Sequence, residues 1–376
     1  MEFGRQLVMA GKSFFFAGGG TGGHIYPALA VAEKIAELDP AATIHFFTGS
    51  RDIDRHVLSK TSFAYTPLPA VGLSARPDKL WRFCKLFLSS SKTAAEAIRS
   101  SPNPVVIGVG GYVAAPVCRA AHKLKVPVVL LNVDIVPGKA NKLIARWAKR
   151  IFVQFEETAG YFGKLKSKVS VVGCPLRSSF EKPNPERAKT ELGLDKNKKI
   201  LLITGASSGS QNINRTVCSL LDNLADFADD WQMVHLTGRA NFDEVTAKYA
   251  GAGIRNKIID YYDDMADLLA SADLLIGRSG AVSVAEYAAA AVPSICMPYP
   301  YHKDLHQYLN AGKLVEAGAA VIVDDLDNDK DRREWLWEEL EPLLKDDKIR
   351  RQMKNACRRV ARIDAAQKIA EALLTG

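Results

Sequence analysis

Three turns rich in glycine and serine carry the residues whose chemistry can be named. Gly18, Gly20 and Gly23 read G-x-G-x-x-G between a short apolar run, Ser13 to Ala17, and a stretch of helical apolar spacing, Ile25 to Leu38. Such a turn presents bare backbone N–H groups at a helix N-terminus, which favours negative charge. His24 follows the last glycine, where an imidazole can exchange a proton near neutral pH; its bland alternative is a helix-terminal side chain bonding its own backbone. A dinucleotide site needs an acidic residue at the end of the second strand to hold the ribose. Thr48-Gly49-Ser50-Arg51 stands there, so the NAD reading fails, and Ser50 with Arg51 leaves an NADP reading open.

The second turn, Gly205-Ala206-Ser207-Ser208-Gly209-Ser210, repeats the same physics. In the third, Arg278-Ser279-Gly280 opens a helix through Ala281, Val282, Ser283, Val284, Ala285 and Glu286. A carboxylate in those first two turns can accept hydrogen bonds from both hydroxyls of a ribose, or can simply complement the helix dipole. No G-x-x-x-x-G-K-[ST] occurs, which excludes a P-loop hydrolase. Asp52-Ile53-Asp54 spells D-x-D, but it opens a predicted helix and reads as dipole complement and surface.

The elements that must position these turns alternate. Strands are predicted at 13–17, 43–48, 105–109, 126–131, 151–153 and 169–172, with helical stretches at 25–38, 78–100, 112–124 and 138–149 between them. Apolar periodicity stops at Glu181-Lys182-Pro183-Asn184-Pro185-Glu186, a plausible linker. A second series has strands near 199–205, 232–236, 274–277, 294–297 and 319–323, then a charged helical end. The pattern predicts an α/β chain of two doubly wound parallel-sheet domains, 1–180 and 181–376, the final helix being able to pack back on the first.

A chain of 376 residues, 47% hydrophobic and 24% charged, suits two globular domains. The net charge of +8 is unevenly placed: residues 1–180 hold 24 Lys plus Arg against 11 Asp plus Glu, and residues 181–376 hold 26 against 31. The first half is expected to meet an anionic or membrane-facing partner. The six cysteines lie at least 34 positions apart with no C-x-x-C, and are expected to be buried free thiols in a reducing cytosol. No signal peptide and no membrane-spanning run is apparent.

Taken together, Gly19-Gly20-Thr21-Gly22-Gly23-His24 with Pro27, Gly110-Gly111-Tyr112, Arg278-Ser279-Gly280-Ala281 with Glu286, and His302-Lys303-Asp304 with Gln307 and Asn310 resemble the MurG family of peptidoglycan N-acetylglucosaminyltransferases. The order and spacing match from about residue 13 to 375. The resemblance implies a GT-B fold, two Rossmann-like domains facing a cleft. The first would take the lipid-linked acceptor (lipid I) and the second UDP-N-acetylglucosamine, at the cytoplasmic face of the membrane, giving lipid II. It implies inverting transfer with no cofactor and no metal, and no nucleic acid partner. Thr21, Gly22 and Gly23 would face the substrate diphosphates, Tyr112 would be among the substrate-binding residues, and His24 is the favoured general base. Arg177, Ser207, Tyr262, Ala281 to Glu286 and Gln307 fall on donor-binding positions. Arg278 or Arg177 would help offset the diphosphate charge.

The chain also departs from that pattern. Leu131-Asn132-Val133-Asp134 replaces a His-Glu-Gln-Asn run, so that the family's Glu and Asn become Asn132 and Asp134. Either Asp134 takes the acidic role or the acceptor differs. Ser208 and His306 replace Gln, and Tyr301 is an added residue. The stretch Leu73, Arg76, Lys79 to Phe83 and Lys85 to Leu88 mixes cations with large apolar side chains, as a patch docking an anionic membrane would. Residues 139–150 read instead as an ordinary amphipathic helix. The competing readings are a GT-B transferase with another acceptor, an NADP-binding oxidoreductase, and a silent sugar-nucleotide-binding protein.

Overall fold

The computed structural model describes residues 11–72, 76–206 and 209–376. The chain divides into two compact units, one of Met1–Pro175 with Asp364–Gly376 and one of Leu176–Ile363. The segment from Leu176 to Phe180 goes with the second unit because Arg177 donates to the Asp263 carbonyl and Phe180 is buried.

The first unit runs β1 (Ser13–Ala17), α1 (Gly22–Leu38), β2 (Thr43–Thr48), α2 (Asp52–Leu58), β3 (Ala64–Pro67), α3 (Pro77–Arg99), β4 (Pro104–Gly108), α4 (Gly111–Lys123), β5 (Val128–Asn132), α5 (Lys139–Ile144), β6 (Arg150–Val153) and β7 (Val169–Val171). All seven strands are parallel, in the order β3-β2-β1-β4-β5-β6-β7. β1 is buried along its whole length, which is why it reads as an unbroken Phe14-Phe15-Phe16 run instead of an alternation. Phe16 stacks on Phe46 and Phe15 on Phe47, one pair on each face of the sheet. Each fully buried aromatic of this kind contributes about 1.5–3 kcal/mol.

The second unit runs α6 (Pro185–Glu191), β8 (Lys199–Thr204), α7 (Gln211–Cys218), α8 (Leu221–Ala225), β9 (Trp231–Leu236), α9 (Phe242–Lys248), β10 (Asn256–Ile259), α10 (Met265–Ser271), β11 (Leu274–Gly277), α11 (Ala281–Ala289), β12 (Ser294–Cys296), α12 (His306–Glu316), β13 (Ala320–Ile322), α13 (Asp329–Lys345) and α14 (Asp347–Val360). Its six parallel strands take the order β10-β9-β8-β11-β12-β13. The last helix, α15 (Ala365–Thr375), returns to the first unit and packs on α1. Lys12 Nζ caps it by donating to the Leu374 carbonyl at 2.7 Å, where a cation also complements the helix dipole.

Both sheets carry an edge strand beyond those read from the sequence, β3 and β10. Each is only four residues long and partly exposed, Ala-Tyr-Thr-Pro and Asn-Lys-Ile-Ile, and so lacks the apolar run that marks the central strands. The cysteines are all free, but Cys84 is exposed and Cys218 half-buried, correcting the expectation that all would be buried.

Candidate active site

In each unit the strand order reverses direction beside the first strand, between β1 and β4 and between β8 and β11. Loops leaving such a switch point diverge and open a crevice at the carboxyl ends of the strands. The glycine turn after β1 and the Gly110-Gly111 turn after β4 lie at the first; the Gly205 to Ser210 turn and the Arg278-Ser279-Gly280 turn lie at the second.

In the first unit the two turns touch. A Cβ on Gly18 would stand 2.3 Å from Val109 Cγ2, and one on Gly111 2.9 Å from the Gly19 carbonyl oxygen. Gly20, at φ +87°, turns its N–H toward Asp54, whose carboxylate oxygens accept it at 2.7 and 2.9 Å. Asp54 is 1% exposed and also accepts from the Gly49 N–H; burial nonetheless pushes its carboxyl up. Arg51 Nη1 donates to the Gly20 carbonyl at 2.8 Å. The D-x-D segment is therefore not mere surface: Asp52 is exposed, but Asp54 is an internal brace of the turn. Arg51, the cation that kept the NADP reading open, is engaged in the same brace.

Thr21 is the N-cap of α1, and its hydroxyl lies 3.1 Å from Nδ1 of His24, the helix's third residue. The other ring nitrogen abuts the second turn, since a Cβ on Gly110 would stand 2.7 Å from His24 Nε2. His24 also bonds the Gly19 backbone, as its bland reading expected, while facing a carboxylate. Burial lowers its proton affinity, Asp134 and Asp54 oppose that, and Arg51 reinforces it; the net direction is down. The imidazole is thus neutral at pH 7 and able to take a proton. Asp134, half-buried on the loop after β5, is the carboxylate whose charge acts most strongly on it. Tyr112, the second residue of α4, is 60% exposed, its ring lying over Gly72.

In the second unit Glu286 is the sixth residue of α11, and burial pushes its carboxyl up to about 7 against the pull of Arg177. Arg177 Nη2 stands 3.9 Å from Glu286 Oε1, while Nη1 donates to the Asp263 carbonyl at 3.0 Å. One guanidinium thus joins the helix carboxylate to the 260–264 loop. That loop is further pinned by Arg187 on Asp264 at 3.1 Å and by the Tyr262 hydroxyl, which donates to Glu191 at 2.6 Å. The first turn of α11 presents its backbone N–H groups at the helix N-terminus, where they lie beyond the reach of the helix's own carbonyls. Ala281, Val282 and Val284 bury their side chains, while Ser283, Ala285 and Glu286 keep only a small part of theirs exposed. Gln307 accepts from the Tyr299 N–H at 3.0 Å, and Asn310 donates to the Ser279 carbonyl at 3.4 Å, tying α12 to the α11 turn. His306 holds Asp304 at 2.7 Å and stacks on His302, and the added Tyr301 donates to Asp327. Ser207 and Ser208 lie outside the described residues.

Arg278 corrects an expectation. The residue is 7% exposed, and its guanidinium donates to Asp325 at 2.7 Å, to Ser210 Oγ at 2.6 Å, and to the carbonyls of Met297 and Pro298 at 2.8 and 3.1 Å. Those bonds occupy it, so it supports the turns instead of clamping a diphosphate. Asp325, whose side chain is 1% exposed, also accepts from Asn212 at 2.8 Å and lies 3.7 Å from Arg332. Ser210 in turn caps α7. The sequence offered no sign of this hub beyond carboxylates at a strand end, nor of Asp54 as a brace.

The sequence models of the glycosyltransferase family 28 N-terminal and C-terminal domains match residues 14–153 and 200–372. Among curated relatives, a protein of Caldanaerobacter subterraneus is 32% identical over 96% of this chain and 99% of its own. One of Halothermothrix orenii is 36% identical over 82% of this chain and 85% of its own. Both carry the name UDP-N-acetylglucosamine--N-acetylmuramyl-(pentapeptide) pyrophosphoryl-undecaprenol N-acetylglucosamine transferase. The crystal structure of Acinetobacter baumannii MurG shares the fold with a TM-score of 0.70 at 24% identity, covering 97% of this chain and all of that one. Two family domains in order across most of the chain, with relatives matched nearly end to end, place it: the chain belongs to glycosyltransferase family 28.

Proposed function

We propose that this chain transfers N-acetylglucosamine from UDP-N-acetylglucosamine to the muramic-acid 4-hydroxyl of lipid I, the polyprenyl-diphosphate-linked muramyl-pentapeptide, with inversion at the anomeric carbon. The observation that carries the reading is the 32% identity, over nearly the full length of both chains, to a relative bearing the name of that reaction. The chemistry agrees. The His24 imidazole takes the acceptor hydroxyl proton as the hydroxyl oxygen bonds the anomeric carbon, and the bond from that carbon to the UDP oxygen breaks on the opposite face. Asp134 stabilises the imidazolium that forms. Such a base contributes typically ~10²- to 10⁴-fold.

The first unit takes the acceptor and the second the donor. Within the second unit the charge on the departing UDP falls on the N-terminus of α11, and within the first Thr21, Gly22 and Gly23 offer the same kind of helix N-terminus to a diphosphate of the acceptor. Glu286 accepts from the ribose hydroxyls, Arg177 offsets charge while holding Glu286, and the Tyr262 loop offers backbone groups to the uracil. Gln307, through the amide that Tyr299 does not use, reaches the sugar. Ser207 has a phosphate as its natural partner.

The exposed face of α3 supports a peripheral membrane position. Trp81, Leu88 and Leu80 are 68%, 60% and 42% exposed among Lys79, Arg82 and Lys85, with Lys85 Nζ 5.3 Å from the Trp81 ring centre. An anionic bilayer satisfies both chemistries. Leu73 of that stretch lies outside the described residues. Trp147, by contrast, packs on the core beside His122, from the turn after α5, which ends at Ile144 and so is shorter than the helix expected over 138–149. No helix among the described residues is long and apolar enough to cross a membrane.

Incubation with UDP-N-acetylglucosamine and a short-chain lipid I analogue tests the reading: UDP and disaccharide product should appear one for one. Tight UDP-N-acetylglucosamine binding without product would favour a silent sugar-nucleotide binder or another acceptor, and binding of NADPH instead would favour the oxidoreductase.

A further inference from the structure

The loop that departs from the family pattern hangs on two buried amides. Asn132, the last residue of β5, is 1% exposed, and Asn141, the third residue of α5, is 7% exposed. Asn141 Nδ2 donates to Asn132 Oδ1 at 2.8 Å, and Asn132 Nδ2 donates to the Asp134 carbonyl at 2.6 Å. Two hydrogen bonds in series therefore tie the Asp134 backbone to helix α5, and removing either member leaves a buried polar group unmatched. The same amide borders His24 across Gly110: a Cβ on that glycine would stand 3.4 Å from Asn141 Oδ1 and 2.7 Å from His24 Nε2.

The charged groups that act on His24 come from two elements, Asp134 after β5 and Asp54 with Arg51 from α2, alongside the Gly19 backbone and the Thr21 hydroxyl. Asp54 is fixed by the Gly20 and Gly49 N–H groups. Asp134 sits on a loop, so its place depends on what holds that loop. The family's glutamate at the position of Asn132 would put a charge where this chain is almost fully buried, whereas a neutral amide satisfies itself there with two hydrogen bonds. Moving the acidic function two residues on, to a half-buried position, leaves a carboxylate able to face the imidazole.

We propose that Asn132 and Asn141 are positioning residues: an amide relay from helix α5 to the Asp134 carbonyl that fixes where the Asp134 carboxylate stands relative to His24. The proposal rests on the reading of His24 as proton acceptor and concerns how its proton affinity is set. A carboxylate raises that affinity in inverse proportion to its distance, so a displaced loop lowers it.

The test uses the full chain and reads His24 directly by ring-proton NMR titration, with His24→Ala assigning the resonance. Asn132→Leu and Asn141→Leu, close in size and unable to hold the loop, should lower the His24 midpoint in the direction of Asp134→Asn. The Asn132→Leu/Asp134→Asn double variant should lower it no further than Asp134→Asn alone. In turnover, kcat should fall roughly tenfold to hundredfold, as for a misplaced catalytic group, and the acidic limb of kcat/KM should move to lower pH. The KM for UDP-N-acetylglucosamine should stay within about twofold, because the donor lies elsewhere. Should Asn132→Leu not fold, Asn141→Ser, one bond further from Asp134, carries the same comparison. An unchanged His24 midpoint in folded Asn132 and Asn141 variants overturns the proposal, as does a double variant whose effects add. A midpoint that moves as stated while His24→Ala turns over normally leaves the relay standing and removes the base assignment instead.

Discussion

Glu286→Gln should stabilise the chain while weakening its grip on the donor. The carboxyl, 13% exposed, is pushed from 4.5 up to about 7 by burial that Arg177, 3.9 Å away, only partly offsets. Keeping the ionised form inside the fold therefore costs about 3 kcal/mol at pH 7 and above. The folded chain retains a proton that the unfolded chain has released between pH 4.5 and 7, so this group weakens the fold as pH rises through that window. The neutral amide has the same shape and no such cost. In urea unfolding at pH 8, Glu286→Gln should be the more stable by up to about 3 kcal/mol, the difference vanishing toward pH 4.5. For ligand binding the order reverses. Exchanging a charged acceptor of two ribose hydroxyls for a neutral one costs about 1.5–3 kcal/mol, or roughly tenfold to hundredfold in Kd. Calorimetry with UDP-N-acetylglucosamine, whose diphosphate diester keeps its charge across this range, should show wild-type affinity about tenfold weaker at pH 6 than at pH 8, and Glu286→Gln nearly flat. A wild-type affinity constant from pH 6 to 8, or a Glu286→Gln chain less stable at pH 8, would refute the reasoning.

Other substitutions probe the supports of the site. Asp54→Ala leaves the Gly20 and Gly49 N–H groups without their acceptor and should cost about 1–3 kcal/mol for each in urea unfolding, while exposed Asp52→Ala stays within about 0.5 kcal/mol. Arg278→Met strips Asp325 of its closest partner and should cost about 3–5 kcal/mol, much of it recovered in Arg278→Met/Asp325→Leu; a fully additive double variant would show that the two do not act as a pair. Reversing the charges of Arg76, Lys79, Arg82 and Lys85 should weaken sedimentation with anionic vesicles by about 1 kcal/mol per residue, and unchanged sedimentation would remove α3 as the membrane contact.

The central strands, the glycine turns and the helices after them were legible because a buried parallel strand is a run of apolar residues and a turn at a switch point needs glycine. What was not legible is how the turns are held. Asp54 looks from the sequence like any acid in a first helical turn; only the fold brings it under Gly20, some thirty positions earlier. Arg278, next to a helix N-terminus, reads as a phosphate clamp until β13 brings Asp325 against it. Asn132 and Asn141 are nine positions apart on a strand and a helix, and no period links them. Edge strands β3 and β10 were missed for the reason edge strands usually are, too little buried surface to imprint a pattern.

The most direct measurement compares wild type with His24→Ala for product formation from UDP-N-acetylglucosamine and a lipid I analogue. Wild type should form disaccharide and UDP in equal amounts, and His24→Ala should lose about 10²- to 10⁴-fold in turnover at unchanged donor Kd. A wild type that makes no disaccharide would contradict the transferase assignment, and a His24→Ala chain that transfers at the wild-type rate would contradict the catalytic role given to this histidine.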